Sequence, residues 1–342
     1  MTWIDYRDLM REYAPDVKLA KDLPHQIQDR MNALPPLFRR SDMARALLEA
    51  AISANTAEDE PTAPPISIIN NIDDDVVPPW EFHYSNKLWH GDGVPLPNPL
   101  NLVSCDCEGP CNPKSKTCAC VRRQAKYIDK ETRIDGFMYD AYGRLKESGQ
   151  PIFECNEFCG CSDDCTNRVV QHGRKCEIHI VKTKDKGWGV FAGNKKIPAG
   201  TFLGIYSGEI LTEREGEERG IKYNKFGRTY LFDIDFGHLQ SEDKDWSNTY
   251  VMDAYHAGNN HSCDPNCWIN ACYINEDNIQ KPLLTIFTFR DVEPKEELCF
   301  SYYGEQDDEN GDPGSPDAPG SDAVYRPCMC GTARCTGRMW KT

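Results

Sequence analysis

No apolar run in the 342-residue sequence approaches the ~18 residues that a membrane-spanning helix needs. The first residues, Met1-Thr2-Trp3-Ile4-Asp5-Tyr6-Arg7-Asp8, lack an apolar h-region, so no signal peptide is expected and the chain reads as intracellular. A basic excess is missing too. Against 54 Asp and Glu stand 39 Lys and Arg, a formal net charge of −15. That balance argues against non-specific binding to nucleic-acid phosphates. Beyond plain solubility, it suits a lysine- and arginine-rich partner steered by an acidic surface. Residues 305–322 contain no Lys or Arg, and seven acids are interleaved with Gly, Pro and Ser, the composition of a flexible linker.

What the sequence has in excess is cysteine, 17 in all. In a reducing compartment, clustered cysteines read as metal ligands before disulfides. Cys105, Cys107, Cys111, Cys118 and Cys120 form one group, and Cys155, Cys159, Cys161 and Cys165 a second. The charge-rich segment 121–154 separates them. Nine thiolates cannot fill tetrahedral zinc sites one by one. Six terminal and three bridging sulfurs, however, supply the twelve bonds of a three-zinc triangle. Such a cluster carries negative charge, for which Lys114, Lys116, Arg122 and Arg123 are nearby cations. With no open coordination position, the zinc is expected to be structural.

Segment 1–98 is expected to pack against the remainder of the chain. Within it, 41–51 has helical character with Ser41 placed as N-cap, and Pro61, Pro64, Pro65, Pro78, Pro79, Pro95, Pro97 and Pro99 punctuate a loop-rich connection. From residue 178 the pattern turns to short β-type runs at 178–181, 188–192, 201–205, 229–234, 249–251 and 283–289. In that region only 213–219 reads as a helix, with Thr212 as its N-cap. Lys186-Gly187-Trp188-Gly189 offers a G-x-G, but no helix comes after it and a dinucleotide site is excluded.

Asn260-His261-Ser262-Cys263-Asp264-Pro265-Asn266 has turn chemistry, with Pro265 fixing φ. After the acidic linker come Cys328-Met329-Cys330 and Cys335, one ligand short of a zinc site. Cys263 is the expected fourth, so that zinc would fasten the tail over the middle of the fold. Cys176, Cys267, Cys272 and Cys299 read as buried free thiols.

Lys186-Gly187-Trp188-Gly189-Val190, Tyr206-Ser207-Gly208-Glu209, Asn260-His261-Ser262-Cys263, Glu297-Leu298-Cys299-Phe300-Ser301-Tyr302 and the final Cys-x-Cys-x₄-Cys come after the nine-cysteine pattern in that order. Together they resemble the SET-domain protein lysine methyltransferases. The likeness is to the heterochromatin (suppressor of variegation) group, which modifies lysine nine of histone H3. The resemblance implies a mainly β fold of small sheets with a knot-like C-terminal threading. It also implies five segments: an N-terminal region (1–98), a pre-SET zinc cluster (99–170), a SET catalytic domain (171–304), the acidic linker (305–325) and a post-SET zinc segment (326–342). The cofactors are then S-adenosylmethionine and zinc, three ions in pre-SET and one in post-SET.

By the same resemblance, Lys186, Trp188, Gly189, Tyr230, Asn260 and His261 hold the cofactor and Trp340 closes over it. Tyr302 matches the catalytic tyrosine, its hydroxyl orienting the lysine nitrogen. Tyr206, Tyr230, Phe232 and Phe300 wall a narrow channel whose ring faces favour a methylammonium. Phe300 stands where a phenylalanine permits di- or trimethylation and a tyrosine restricts the product to monomethyl. Glu209, Asp233 and Asp235 are expected to receive the basic tail, which adds as a strand to an exposed edge. The implied partners are the histone H3 tail and chromatin and heterochromatin proteins, in the nucleus on the chromosome. Neither a membrane nor sequence-specific DNA is expected.

The sequence departs from the family just before Asn260, where a short stretch with a central aromatic is missing and Tyr255-His256-Ala257-Gly258-Asn259 runs straight into the motif. Unless Tyr255 to Asn259 extends to compensate, the expected consequence is that Asn260 and His261 are drawn away from the cofactor. That would leave a non-catalytic chromatin scaffold. Ser301, where an acid is common, is a milder departure.

Overall fold

The computed structural model describes residues 41–74, 88–132, 134–225, 231–234, 249–254, 260–302, 325–335 and 337–341, with isolated positions at 35, 37, 77, 78 and 86. Helix α1 (Asp42–Asp59) begins where expected and runs on past residue 51. Ser41 adopts the extended N-cap backbone, and its carbonyl accepts the Ala44 N–H at 2.9 Å, but its side chain makes no cap bond. Ala44, Leu48, Ala51 and Ile52 recur at helical spacing and are buried. Strand β1 (Ser67–Ile69) comes next, and Glu49 of α1 accepts the Ile68 N–H at 2.7 Å.

After β2 (Trp89–His90), the cysteine-rich part contributes helix α2 (Ala119–Tyr127) and strand β3 (Ile152–Phe153). Next come β4 (Ile178–Lys182), β5 (Trp188–Ala192), β6 (Phe202–Ile205), β7 (Glu209–Thr212), helix α3 (Glu213–Lys225), β8 (Leu231–Ile234) and β9 (Tyr250–Asp253). Strands β10 (Asn260–His261), β11 (Cys267–Tyr273), β12 (Leu283–Thr288), β13 (Cys299–Phe300), β14 (Tyr325–Pro327) and β15 (Arg338–Lys341) complete the chain. The expected strand runs coincide with β4, β5, β6, β8, β9 and β12 to within a few residues; positions 229 and 230 lie outside the described residues. Helix α2 and strands β7 and β11 were not foreseen. The β11 sequence, Cys-Trp-Ile-Asn-Ala-Cys-Tyr, has weak alternation because the strand is covered on both faces at the centre of its sheet.

The strands form small sheets ordered β1-β4-β5, β3-β11-β12-β6 and β2-β7-β9-β8, plus the pairs β10-β13 and β14-β15. The fold is mainly β, as the sequence implied. Leu48 and Ile52 of α1 share one buried cluster with Ile68, Ile180, Leu203, Ile286 and Phe300, so the segment from 42 to 69 is part of the main core. Glu60, just past α1, is sealed against Arg174, whose backbone N–H it accepts at 2.9 Å. Between them Gly173 sits at φ +70°, and a Cβ there would meet Glu60 Cβ at 2.7 Å.

Helix α3 starts on Thr212, whose hydroxyl accepts the Glu215 N–H at 3.4 Å. It lays Arg219 over the β7–β9 pair, where its guanidinium donates to Asp253 at 2.6 Å and to Glu209 at 2.8 Å. The Tyr223 hydroxyl adds a bond to Asp253 at 2.7 Å. Burial disfavours the Arg219 charge, yet the Asp253 and Glu209 carboxylates raise its pKa overall. Removing one member of a buried ion network leaves uncompensated charge. Arg219→Leu is therefore expected to destabilise the protein by ~3–5 kcal/mol, read as a lower urea midpoint, with Arg219→Lys intermediate because an ammonium cannot reach both acids as a fork.

Candidate active site and zinc clusters

The nine cysteines of the first two groups converge. Cys105, Cys107, Cys111 and Cys118 lie with their sulfurs within 4.8 Å of one another, and so do Cys105, Cys120, Cys155 and Cys159, and Cys105, Cys111, Cys155 and Cys161. Cys105, Cys111 and Cys155 thus occupy the middle, with sulfur separations of 3.5 Å for 105–111 and 3.8 Å for 111–155. Cys165 closes the remaining corner, where it accepts the Cys111 N–H at 3.4 Å. Burial pushes the Cys111 thiol up, and hydrogen bonding with Cys120, Cys159 and Cys165 does the same to Cys155. Sulfurs this crowded cannot all ionise without cations among them.

The charge compensation follows expectation only in part. Lys114, Lys116 and Arg122 are exposed, whereas Arg123, over the Phe153 ring at 4.6 Å, is within electrostatic reach of Cys120 and Cys159. The cation bonded to a cluster sulfur is buried Arg168, which donates to Cys161 at 3.5 Å, while Asn167 donates to Cys155 at 3.5 Å. Both lie within three residues of Cys165 in sequence, a proximity that could have singled them out.

Cys263, Cys328, Cys330 and Cys335 form the other group, again within 4.8 Å, with Cys263 and Cys328 sulfurs 3.8 Å apart. The ligand missing from the C-terminal three is thus beside them, brought by the turn after β10. All four donor sets are thiols with tetrahedral ligand numbers, the chemistry zinc takes.

The turn also ties the tail to the aromatic motif. Strand β10 pairs in parallel with β13, setting Asn260 against Cys299 and His261 against Phe300. His261 Nδ1 accepts the Tyr302 backbone N–H at 3.2 Å, so its proton sits on Nε2, 3.4 Å from the Cys263 sulfur. Burial holds this imidazole below its usual range. The Asn260 side-chain nitrogen donates to the Trp188 carbonyl at 3.1 Å and to Glu297 at 2.9 Å. The other Glu297 oxygen pairs with Lys186. Gly189 completes the cradle, since a Cβ there would meet Glu297 at 2.6 Å and Asn260 at 2.8 Å. Asn260 and His261 therefore remain beside Trp188 and Tyr302, the outcome expected where the shortened approach is compensated. Residues 255–259 themselves lie outside the described residues.

Beside this cradle runs a chain of rings. Tyr206 stands edge-on to Phe300 at 5.7 Å and 6.0 Å from Phe232, while Tyr302 is 5.0 Å from Phe300 and 5.3 Å from His261. Each spacing is that of a favourable aromatic pair. Asp233 is exposed on β8, the last strand of its sheet among the described residues. Glu209 needs correction as a tail-receiving acid: it is 1% exposed and committed to Arg219, so no solvent-borne peptide reaches it. Tyr230 and Asp235 lie outside the described residues, and Trp340 falls in β15, its side chain likewise outside them. Glu297, which bonds Lys186 and Asn260 and abuts Gly189, stood in a sequence motif but was given no role there.

Comparisons with known proteins give the family. Residues 58–168 match the Pre-SET motif and residues 187–303 the SET domain. A histone-lysine N-methyltransferase, H3 lysine-9 specific, of Cryptococcus neoformans is 38% identical over 91% of this chain, which spans 21% of that protein's length. The H3 lysine-9 specific dim-5 of Neurospora crassa is 34% identical over 81% of this chain and 88% of its own. The crystal structure of KRYPTONITE in complex with mCHH DNA, H3(1-15) peptide and SAH superposes with a TM-score of 0.61 at 26% identity, covering 81% of this chain and 51% of that one. On the matched domains, the converging cysteines and the relationship to dim-5 along nearly all of its length, this chain belongs to the Su(var)3-9 family of pre-SET and SET-domain histone-lysine N-methyltransferases.

Proposed function

We propose that the protein transfers methyl groups from S-adenosylmethionine to lysine nine of the histone H3 tail, to the di- or trimethyl state. It acts on nuclear chromatin in heterochromatin formation and gene silencing. The observation that carries this reading is the union of the Lys186–Trp188–Asn260–Glu297 cradle with the ring chain ending at Tyr302. The H3 peptide and SAH named with KRYPTONITE support the same pairing of substrate and cofactor.

S-adenosylmethionine supplies a methyl group carried on a sulfonium. Lys186, Trp188, Gly189, Asn260 and His261 would hold it, with Tyr230 and Trp340 added by family resemblance; the bare Gly189 leaves the close approach open. Tyr206, Phe232 and Phe300 strip water from the incoming lysine, which disfavours its ammonium form. Tyr302 Oη directs the amine lone pair. Phe300, 3% exposed and without a hydroxyl, offers no anchor for a water, leaving space for further methyl groups. Exposed Asp233 would face the basic tail, which adds along β8, with Asp235 added by family resemblance alone. Cys105, Cys111 and Cys155, at the centre, with Cys107, Cys118, Cys120, Cys159, Cys161 and Cys165 around them, would hold three zinc ions, and Cys263, Cys328, Cys330 and Cys335 would hold a fourth, each ion contributing folding energy.

The test is methylation of an H3 tail peptide by zinc-replete protein, read by mass spectrometry. Two or three added methyl groups at lysine nine are expected, and Phe300→Tyr should shift the product towards one. Absence of product from folded protein would overturn the catalytic reading in favour of a scaffold.

A further inference from the structure

Three segments that the proposed reaction uses meet at one carboxylate, Glu297. Its backbone is fixed along β5, through the Leu298 N–H to Val190 O bond at 2.7 Å and the Ala192 N–H to Glu296 O bond at 2.8 Å. Its side chain is 14% exposed, so water screens it little. One oxygen holds the Lys186 ammonium and the other accepts from Asn260 at 2.9 Å.

Asn260 then has no freedom in how it presents its amide. A carboxylate and the Trp188 carbonyl both face it, and both are acceptors, so the nitrogen must turn towards them. Both amide hydrogens are spent there. What remains for a ligand is the Asn260 carbonyl oxygen, an acceptor suited to an ammonium. Lys186, restrained a short distance away, is a cation suited to a carboxylate. An α-amino acid end, which carries both groups, matches this pair.

We propose that Glu297 is a positioning residue for the cofactor. It fixes the Asn260 amide with its oxygen outward and restrains Lys186, so that the site recognises the amino-acid end of S-adenosylmethionine. This rests on the cofactor reading above. It also explains the glycine at 189, because any side chain there would push Glu297 and Asn260 apart.

The test is calorimetric binding of S-adenosylmethionine to the zinc-replete full chain, for the unaltered protein, Glu297→Gln and Glu297→Ala. Zinc content and melting temperature are measured on each. Loss of a charge-assisted buried bond predicts affinity weakened by about tenfold or more in Glu297→Ala. Glu297→Gln keeps an acceptor for Asn260 but turns an amide donor towards Lys186, so its loss should be smaller. Zinc content should not change, and the effect should appear in the cofactor KM more than in kcat. If Glu297→Ala does not fold, the isosteric Glu297→Gln still carries the comparison. Unaltered affinity in folded variants would overturn the proposal, and so would loss of cooperative melting in both, which would mark a purely structural role. Failure of the unaltered protein to bind would instead bring down the cofactor reading, and this proposal with it.

Discussion

Cys155→Ser is expected to cost the protein its cooperative melting transition, and a strong chelator to do the same to the unaltered chain. The reason is position. Cys155 lies in the middle of the cluster, sharing groups with both of the other central sulfurs and taking a bond from Asn167. Around it there is little else to make a core: the buried cluster is almost wholly cysteine, with Val121 and Phe137. Structural zinc contributes ~10–16 kcal/mol per site, as much as or more than the ~5–15 kcal/mol net stability of a typical domain. Zinc release measured with a colorimetric chelator should coincide with the loss of structure. Cys272→Ser is the control, because Cys272 is equally buried but packs with Met138, Ile152 and Phe287, away from the sulfurs. If Cys155→Ser melts like Cys272→Ser, the cluster does not hold the fold. Cys107→Ser, at an outer and partly exposed sulfur, should fall between them.

Tyr302→Phe is expected to lower kcat by about a hundredfold or more, while S-adenosylmethionine and H3 peptide still bind. The ring stays in its contacts with Phe300 and His261, and the backbone N–H to His261 is untouched, so only the hydroxyl is lost. Single-turnover rates and calorimetry on the same preparation separate the two effects. A matching fall in peptide affinity would make Tyr302 a binding residue, and an unchanged kcat would remove its hydroxyl from the chemistry.

His261 joins these two predictions physically. It touches the Tyr302 backbone with one nitrogen and the Cys263 sulfur with the other. The C-terminal cysteine group and the aromatic motif are therefore neighbours through a single imidazole.

The candidate ligands were legible in the sequence because thiol spacing is local. Cys-x-Cys leaves few other readings in a reducing compartment, and the turn chemistry of residues 260–266 is written in Asn, Ser, Asp and Pro. The strands of residues 178–205 could be read from branched and aromatic runs for the same reason. What the sequence could not contain was the partner of each polar group across the fold. Which sulfurs are central depends on how 105–120 and 155–165 close on each other. Glu209 reads as a surface acid until Arg219, ten residues on, is folded over it, and Arg168 reads as any arginine until it meets Cys161. A chain-length argument left Asn260 either displaced or compensated, because it only counts residues. Asn260 is held by Trp188 and Glu297, which are remote in sequence and adjacent only in space. The sequence by itself determined donor type and local conformation, which depend on neighbours along the chain. Tertiary structure alone decided charge pairing, burial and amide orientation, because these are set by the low-dielectric contacts that distant segments make on packing.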